Sequence, residues 1–190
     1  MLSDIIKANN ISLYKLSKET EVSYTTLSNI KLNKVKIENV TCDVVNRLAK
    51  YFDISMDTMY KQLMLPERKS FEWFRSEVCH KLKFLGDKEF VIRLVEEDYI
   101  SIFWEMKWYA ESLYLLAMLD ILSKKYNAPL CTRYDYYRTQ KLKNTLYPLD
   151  ILIKEELTPE LKWKEEILKN CNPEFLKYNI VEGDIYDVVW

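Results

Sequence analysis

The chain has 190 residues, of which 48% are hydrophobic and 14% aromatic, so it can build two small apolar cores or one medium core. With two glycines and five prolines, the composition favours helices joined by short loops and argues against a β-sandwich. The net charge of −1 is uneven, because residues 1–64 carry nine Lys and Arg against seven Asp and Glu, whereas residues 65–190 carry nineteen against twenty-two.

The first 64 residues predict five short helices separated by polar turns. Apolar residues recur at helical spacing in each segment, and Ser or Thr stands at the expected N-cap of four of them. These cap residues are Ser12, Ser23, Thr41 and Ser55. Thr20, Glu21 and Val22 make a tight corner between the second and third helices. The pattern predicts two helices joined by a short turn and supported by the other three.

The third predicted helix has an apolar inner face and a polar outer face. Leu27 and Ile30 form the inner face. The outer side chains are short or planar hydrogen-bonding groups, which suit the base edges of a DNA major groove. The residues that we expect to read DNA bases are Tyr24, Thr25, Ser28 and Asn29.

The run KLNKVK, at residues 31–36, places three lysines directly after this helix. Lys31, Lys34 and Lys36 are expected to neutralise DNA phosphates beside the groove. The alternative is an ordinary solvated basic loop.

The segments ISLYKLSKETEVSYTTLSNIK (11–31) and RLAKYFDISMDTMYKQL (47–63) resemble the lambda-repressor/Cro-type (XRE-like) helix-turn-helix domain. The resemblance implies a five-helix domain over 1–64 that binds double-stranded DNA, with Ser12 and Ser23 touching phosphates. Ser17 and Glu21 depart from the Ala and Gly that the family often has there. The competing interpretation is a small helical bundle that binds protein.

Residues 65–70 (LPERKS) are predicted to be a linker to a second helical domain over 71–190, which makes the fold class all-α. We expect a bundle around a long, almost wholly apolar helix near 104–126. Residues 145–153 are expected to be loop or extended chain, and the apolar tail 185–190 to dock on the protein or on a partner. The remaining predicted helices are 71–85, 88–98, 133–142 and 158–170, followed by a helical turn over 173–179.

The second domain offers few candidates for chemistry. Cys79 and His80 are neighbours on a helix and point about 100° apart, so they do not make a nucleophile pair. Arg133 and Arg138 could clamp a phosphate or a carboxylate, although arginines lying over aromatic rings are the simpler interpretation. Acidic side chains on the long helix are expected to be paired or solvated. These are Glu105, Glu111 and Asp120.

The four cysteines and the one histidine show no zinc-ligand spacing, and no glycine-rich phosphate loop is present. We therefore expect no catalytic residues, no metal and no cofactor. The absence of a signal-peptide pattern and of a membrane-length apolar run predicts a cytoplasmic protein with reduced thiols and no membrane contact.

The stretches FRSEVCHKLKFLGDKEF, SLYLLAMLDIL and PEFLKYNIVEGDIYDVV resemble the helical C-terminal halves of antitoxin-type regulators. This resemblance implies a protein partner, a toxin. The predicted function is a homodimeric transcriptional repressor that autoregulates its operon. The alternatives are a ligand-sensing regulator, a phage-type protein inhibitor that represses its own promoter, and an enzyme fused to a DNA-binding module.

Overall fold

A computed structural model describes residues 1–186 and shows an all-α protein. Thirteen α-helices and three short 3-10 helices account for its regular structure, and no strand occurs within this range. The chain divides into two compact units, Met1–Arg68 and a second unit that begins at Lys69. The last four residues of the predicted apolar tail, 187–190, lie outside the described range.

The first unit contains five α-helices, as predicted. A short 3-10 helix, Ile37–Asn39, stands between the third and the fourth. The α-helices are α1 (Leu2–Ala8), α2 (Leu13–Thr20), α3 (Tyr24–Lys31), α4 (Cys42–Phe52) and α5 (Met56–Met64).

A single apolar core holds these five helices together. α2 contacts α3 and α4, while α1 contacts α3 and α5. Each helix contributes at least one side chain that is almost fully buried, and the burial of each such side chain stabilises the fold by roughly 1.5–3 kcal/mol. Those side chains include Leu2, Leu16, Leu27, Ile30, Leu48 and Met59.

The second unit is built around one buried helix. Residues 111–120 of this helix are all buried, including two acids and a serine. This buried helix contacts four other helices of the unit and the short α-helix that comes next after it in the chain. The α-helices of this unit are α6 (Phe71–Leu85), α7 (Asp87–Glu97), α8 (Tyr99–Glu105), α9 (Tyr109–Lys125), α10 (Asp135–Arg138), α11 (Leu149–Leu157), α12 (Trp163–Asn170) and α13 (Pro173–Leu176). The central helix is α9, as its apolar circumference predicts.

The predicted helix over 104–126 was wrong at its start. Lys107 adopts a left-handed conformation, with φ 61, and separates α8 from α9. Trp108 N donates to Phe103 O at 2.8 Å and Lys107 N to Trp104 O at 2.9 Å, which is the hydrogen-bond pattern of a Schellman helix end. Such an end usually carries glycine, so a lysine there gave no signal in the sequence.

Two neighbouring predictions were also wrong. The helix expected over 133–142 is reduced to a 3-10 turn, Thr132–Tyr134, and the single turn of α10. The segment 145–153, expected to be loop or extended chain, is mostly α11, which starts directly after Pro148. Proline lacks only a donor that the first turn of a helix does not need, so it can begin a helix as well as hold a loop.

The helix expected over 158–170 is divided as well. A 3-10 turn covers Pro159–Leu161, Lys162 has φ 50, and α12 follows. Leu161 is exposed, because the break at Lys162 takes it out of the register of α12. After α12, Asn172 caps α13 by accepting from Glu174 N.

Candidate nucleic-acid interface

Side-chain caps fix where α2 and α3 begin. The Ser12 hydroxyl accepts from Lys15 N, and the Ser23 hydroxyl accepts from Thr26 N, each at 3.1 Å. Such a cap stabilises a helix by about 1 kcal/mol. Ser12 and Ser23 are therefore confirmed as caps, as is Ser55 before α5, whereas the predicted cap Thr41 makes no side-chain cap hydrogen bond to α4. The segment over 13–31 is a helix, a three-residue turn and a second helix.

The turn between α2 and α3 is closed by short polar side chains. Ser17 donates to Val22 O at 2.7 Å, and Thr20 donates to Leu16 O at 2.6 Å. Val22 itself is buried under the turn. These contacts fix the angle between α2 and α3, and they give Ser17, where the family often has Ala, a structural role.

Glu21 occupies the left-handed position of this turn, with φ 56. That conformation costs a residue with a side chain roughly 1–2 kcal/mol more than it costs glycine. Arg47 on α4 donates to Glu21 Oε2 at 3.1 Å and to Asp43 Oδ2 at 2.8 Å. The Arg47–Glu21 pair partly neutralises the charge of Glu21, which lies on the side of the domain that would face DNA. It also joins the turn to α4.

A second contact joins α4 directly to α2. Tyr51 on α4 shares a hydrogen bond with Glu19 on α2, and this bond raises the pKa of the phenol. This hydrogen bond adds to the packing of α4 against α2.

The outward face of α3 is polar, as predicted. Leu27 and Ile30 are buried beneath it. Tyr24 and Thr25 are exposed, while Ser28 and Asn29 are half-buried at the edges of the same face. The hydrogen-bonding side chains at these four positions are therefore presented together on one helix face.

Leu32 also belongs to this surface, although the sequence analysis did not include it. It follows Thr25 by seven residues, which is two helical turns, and its side chain is 56% exposed. An aliphatic group at the end of a reading helix can contact a thymine methyl. The two-turn spacing from Thr25 was the signal that could have identified it.

The three candidate phosphate-binding lysines follow α3 within five residues. Lys31 is half-buried in the last turn of α3, whereas Lys34 and Lys36 are exposed. Lys34 N donates to Asn29 O at 2.9 Å, which folds the chain back over the end of the helix. The lysines therefore lie close to the end of the polar face.

In the second unit, the candidates for chemistry are engaged in structural contacts. Arg138 binds both carboxylate oxygens of Asp120, and Arg133 donates to Val95 O at 3.0 Å. Cys79 Sγ lies 3.3 Å from the Tyr114 hydroxyl, while His80 Nδ1 lies 2.8 Å from Ser76 O.

Burial also argues against Cys79 as a nucleophile. It raises the pKa of the Cys79 thiol, which disfavours the reactive thiolate. Burial likewise raises the pKa of Glu182, whose carboxylate accepts from Arg75 at 3.0 Å and from the Tyr114 hydroxyl at 3.3 Å. This set of contacts fastens the segment after α13 to α6 and α9.

A family model described as Cro/C1-type HTH DNA-binding domain matches residues 1–61. Residues 1–61 are a Cro/C1-type helix-turn-helix domain. The chain is therefore a DNA-binding transcriptional regulator, and the matched family consists of DNA-binding domains and not of enzymes. Comparisons with curated proteins and with solved structures gave no match.

Three further observations concern residues 1–186. None of the helices there has the length and apolar character to cross a bilayer. His, Cys, Asp and Glu side chains in the same range form no group of three that could hold a metal ion. All four cysteines are thiols outside disulfides.

Proposed function

We propose that this regulator is a sequence-specific transcriptional repressor that binds a two-fold symmetric operator as a dimer. The observation that carries the proposal is the exposed hydrogen-bonding face of α3, held by capped helices over a buried core. Tyr24, Thr25, Ser28 and Asn29 read base edges in the major groove.

Phosphate contacts set the register of the domain on the duplex. Ser12 and Ser23 lie at the N-termini of α2 and α3, where backbone N–H groups favour an anion. Lys31, Lys34 and Lys36 add charge beyond the other end of α3. The resemblance to Cro and the lambda repressor supports repression as the outcome of binding.

A single α3 can contact only a few base pairs, which is too little for tight, specific binding. A dimer reads two half-sites separated by one helical turn, about 10–10.5 base pairs between centres. The operator should therefore be an inverted repeat.

Selection of bound duplexes from random DNA by the full chain tests this proposal. The expected result is an inverted repeat with that spacing, and a reporter gene carrying the repeat across its promoter should be silenced by the chain. Recovery of unrelated sequences would contradict specific reading. A reporter that is activated would contradict repression.

The proposal extends to an antitoxin-type role for the second unit, which would bind a protein toxin. Exposed aromatic side chains there, such as Trp73 and Phe84, are typical of surfaces that meet a protein partner. If this role is correct, the product of an adjacent gene should arrest growth when expressed alone, and the full chain should relieve the arrest. Relief by residues 1–68 alone would contradict a role for the second unit.

A further inference from the structure

Helix α11 turns its more apolar side to solvent. Leu149, Ile153 and Leu157 are spaced four residues apart, so they form one stripe along the helix, and their side chains are 55%, 51% and 76% exposed. Ile151 lies on the opposite side and is buried. A surface helix normally has the reverse arrangement.

Contacts with α12 hold α11 in this orientation. Trp163 Nε1 donates to Thr158 Oγ1 at 2.8 Å, and Lys154 Nζ lies 5.6 Å from the centre of the Trp163 ring. Lys164 N donates to Glu155 at 3.3 Å. The inner side of α11 is therefore occupied by α12, and the helix cannot rotate its apolar stripe inwards without breaking these bonds.

The start of α11 is fixed as well. Leu149 N donates to Glu72 Oε1 at 3.2 Å, which joins this end of the helix to α6. Leu152, three residues after Leu149 on α11, and Leu161, in the 3-10 turn that follows α11, are exposed as well. We call the five residues together the α11 stripe: Leu149, Leu152, Ile153, Leu157 and Leu161.

We propose that the α11 stripe is the surface through which two copies of this chain associate. The inference rests on the proposed function, which needs two DNA-binding domains on one operator. A two-fold interface pairs a patch with itself, and an aliphatic patch is complementary to its own copy. Homodimer interfaces are also more apolar than those between transient partners.

The exposed area is consistent with a dimer. From these fractional exposures, complete covering of the α11 stripe on two copies would remove at most about 1,000 Å² from water, which is the least that a specific interface should bury. Covering such a stripe also removes the aggregation risk that a large exposed apolar patch carries.

Two other exposed groups are less suited to this role. Phe84 is 88% exposed but is a single side chain. Trp104 packs on Tyr109 and Tyr137 with ring centres 4.7 and 5.2 Å apart, so much of its apolar surface is already covered. Phe84 and Tyr136, an exposed residue whose ring centre lies 6.2 Å from that of Trp104, therefore serve as controls.

Sedimentation velocity of the full chain at micromolar concentration tests the inference. The native chain should sediment as a dimer, and Leu157→Asp and Ile153→Asp should each weaken association roughly tenfold or more. Phe84→Asp and Tyr136→Asp should remain dimeric. Because all four side chains are exposed, the helical circular-dichroism signal should be unchanged, and Leu149→Ser replaces any stripe variant that loses it.

A monomeric native chain would overturn the inference, as would stripe variants that still dimerise or control variants that do not. The proposed function is judged separately, by titrating each variant with a single half-site and its scrambled form. A monomer that still prefers the half-site retains the proposed DNA reading without this interface.

Discussion

Arg138 binds both carboxylate oxygens of Asp120, with Nε 2.9 Å from Oδ2 and Nη2 2.7 Å from Oδ1. Asp120 is buried on the central helix α9, and Arg138 ends α10. Nη1 of the same arginine also donates to Cys131 O at 2.8 Å. The pair therefore fastens the segment after α9 to the core of the second unit, and its loss would leave a buried carboxylate without its partner.

Arg138→Ala should lower the free energy of unfolding of the second unit by about 3 kcal/mol. Arg93→Ala is the matched control, because Arg93 pairs with Glu89 at 2.7 Å on the exposed surface of α7, where water screens the pair, and its loss should cost far less than the loss of Arg138. Urea unfolding followed by tryptophan fluorescence measures both, since all five tryptophans are at position 73 or later. Equal losses in the two variants would contradict the structural role of the Asp120 pair.

Asp87 should make the stability of the second unit sensitive to acid. Burial alone would raise the pKa of Asp87, but hydrogen bonds from Lys125, Tyr126 and Tyr186 outweigh it and lower the pKa below the ordinary value of 3.8. A lowered pKa contributes stability that is present above 3.8 and is lost as the pH falls through the folded-state pKa.

Asp87→Asn should remove this part of the acid sensitivity when unfolding free energies are compared near neutral pH and at about pH 3. The control is the same change at Asp150, Asp150→Asn. In the native chain the Asp150 carboxylate pairs with Lys154, at 2.9 Å, on the exposed surface of α11. If the Asp87→Asn variant were as sensitive to acid as the native chain, the three hydrogen bonds would not act as described.

Lys34→Ala should weaken binding to all DNA sequences alike and reduce the salt dependence by roughly one unit of slope. The reason is that each phosphate contact releases counterions irrespective of base sequence. Lys88→Ala, at an exposed lysine on α7, makes the same change in net charge and should leave the slope unaltered. A native slope in the Lys34→Ala variant would make that lysine a solvated bystander.

Two substitutions of Glu21 separate the effect of its strained backbone on stability from the effect of its charge on DNA binding. Glu21→Gly should be more stable than Glu21→Gln by about 1 kcal/mol, because only glycine relieves the left-handed conformation. Both changes remove a negative charge and should raise the affinity for DNA of any sequence to a similar extent. Thermal unfolding and titration at fixed salt give the two quantities, and equal stabilities would show that the turn is not strained.

The sequence predicts the first unit well because its signals are local. Ser12 and Ser23 are capping residues that stand directly before periodic apolar segments, so the bounds of α2 and α3 follow from short-range chemistry. The polar face of α3 is predicted for the same reason, since the buried positions Leu27 and Ile30 define its opposite side.

The second unit is harder to predict because its helix breaks lack their usual residues. Lys107 and Lys162 take left-handed conformations that glycine or asparagine normally adopts. The residue types at these two positions therefore give no sign of a helix break. The outward stripe of α11 was missed for a related reason, since apolar periodicity shows that a helix has an apolar face but not whether that face is covered.

Base reading by α3 is tested most directly by Asn29→Ala. Titration of the native chain, Asn29→Ala and the exposed control Asn39→Ala with the selected operator and a scrambled duplex gives the discrimination of each. Asn29→Ala should lose roughly 1–3 kcal/mol of discrimination and keep its affinity for scrambled DNA, whereas Asn39→Ala should keep its discrimination. Full discrimination by Asn29→Ala would contradict the assignment of α3 as the reading helix.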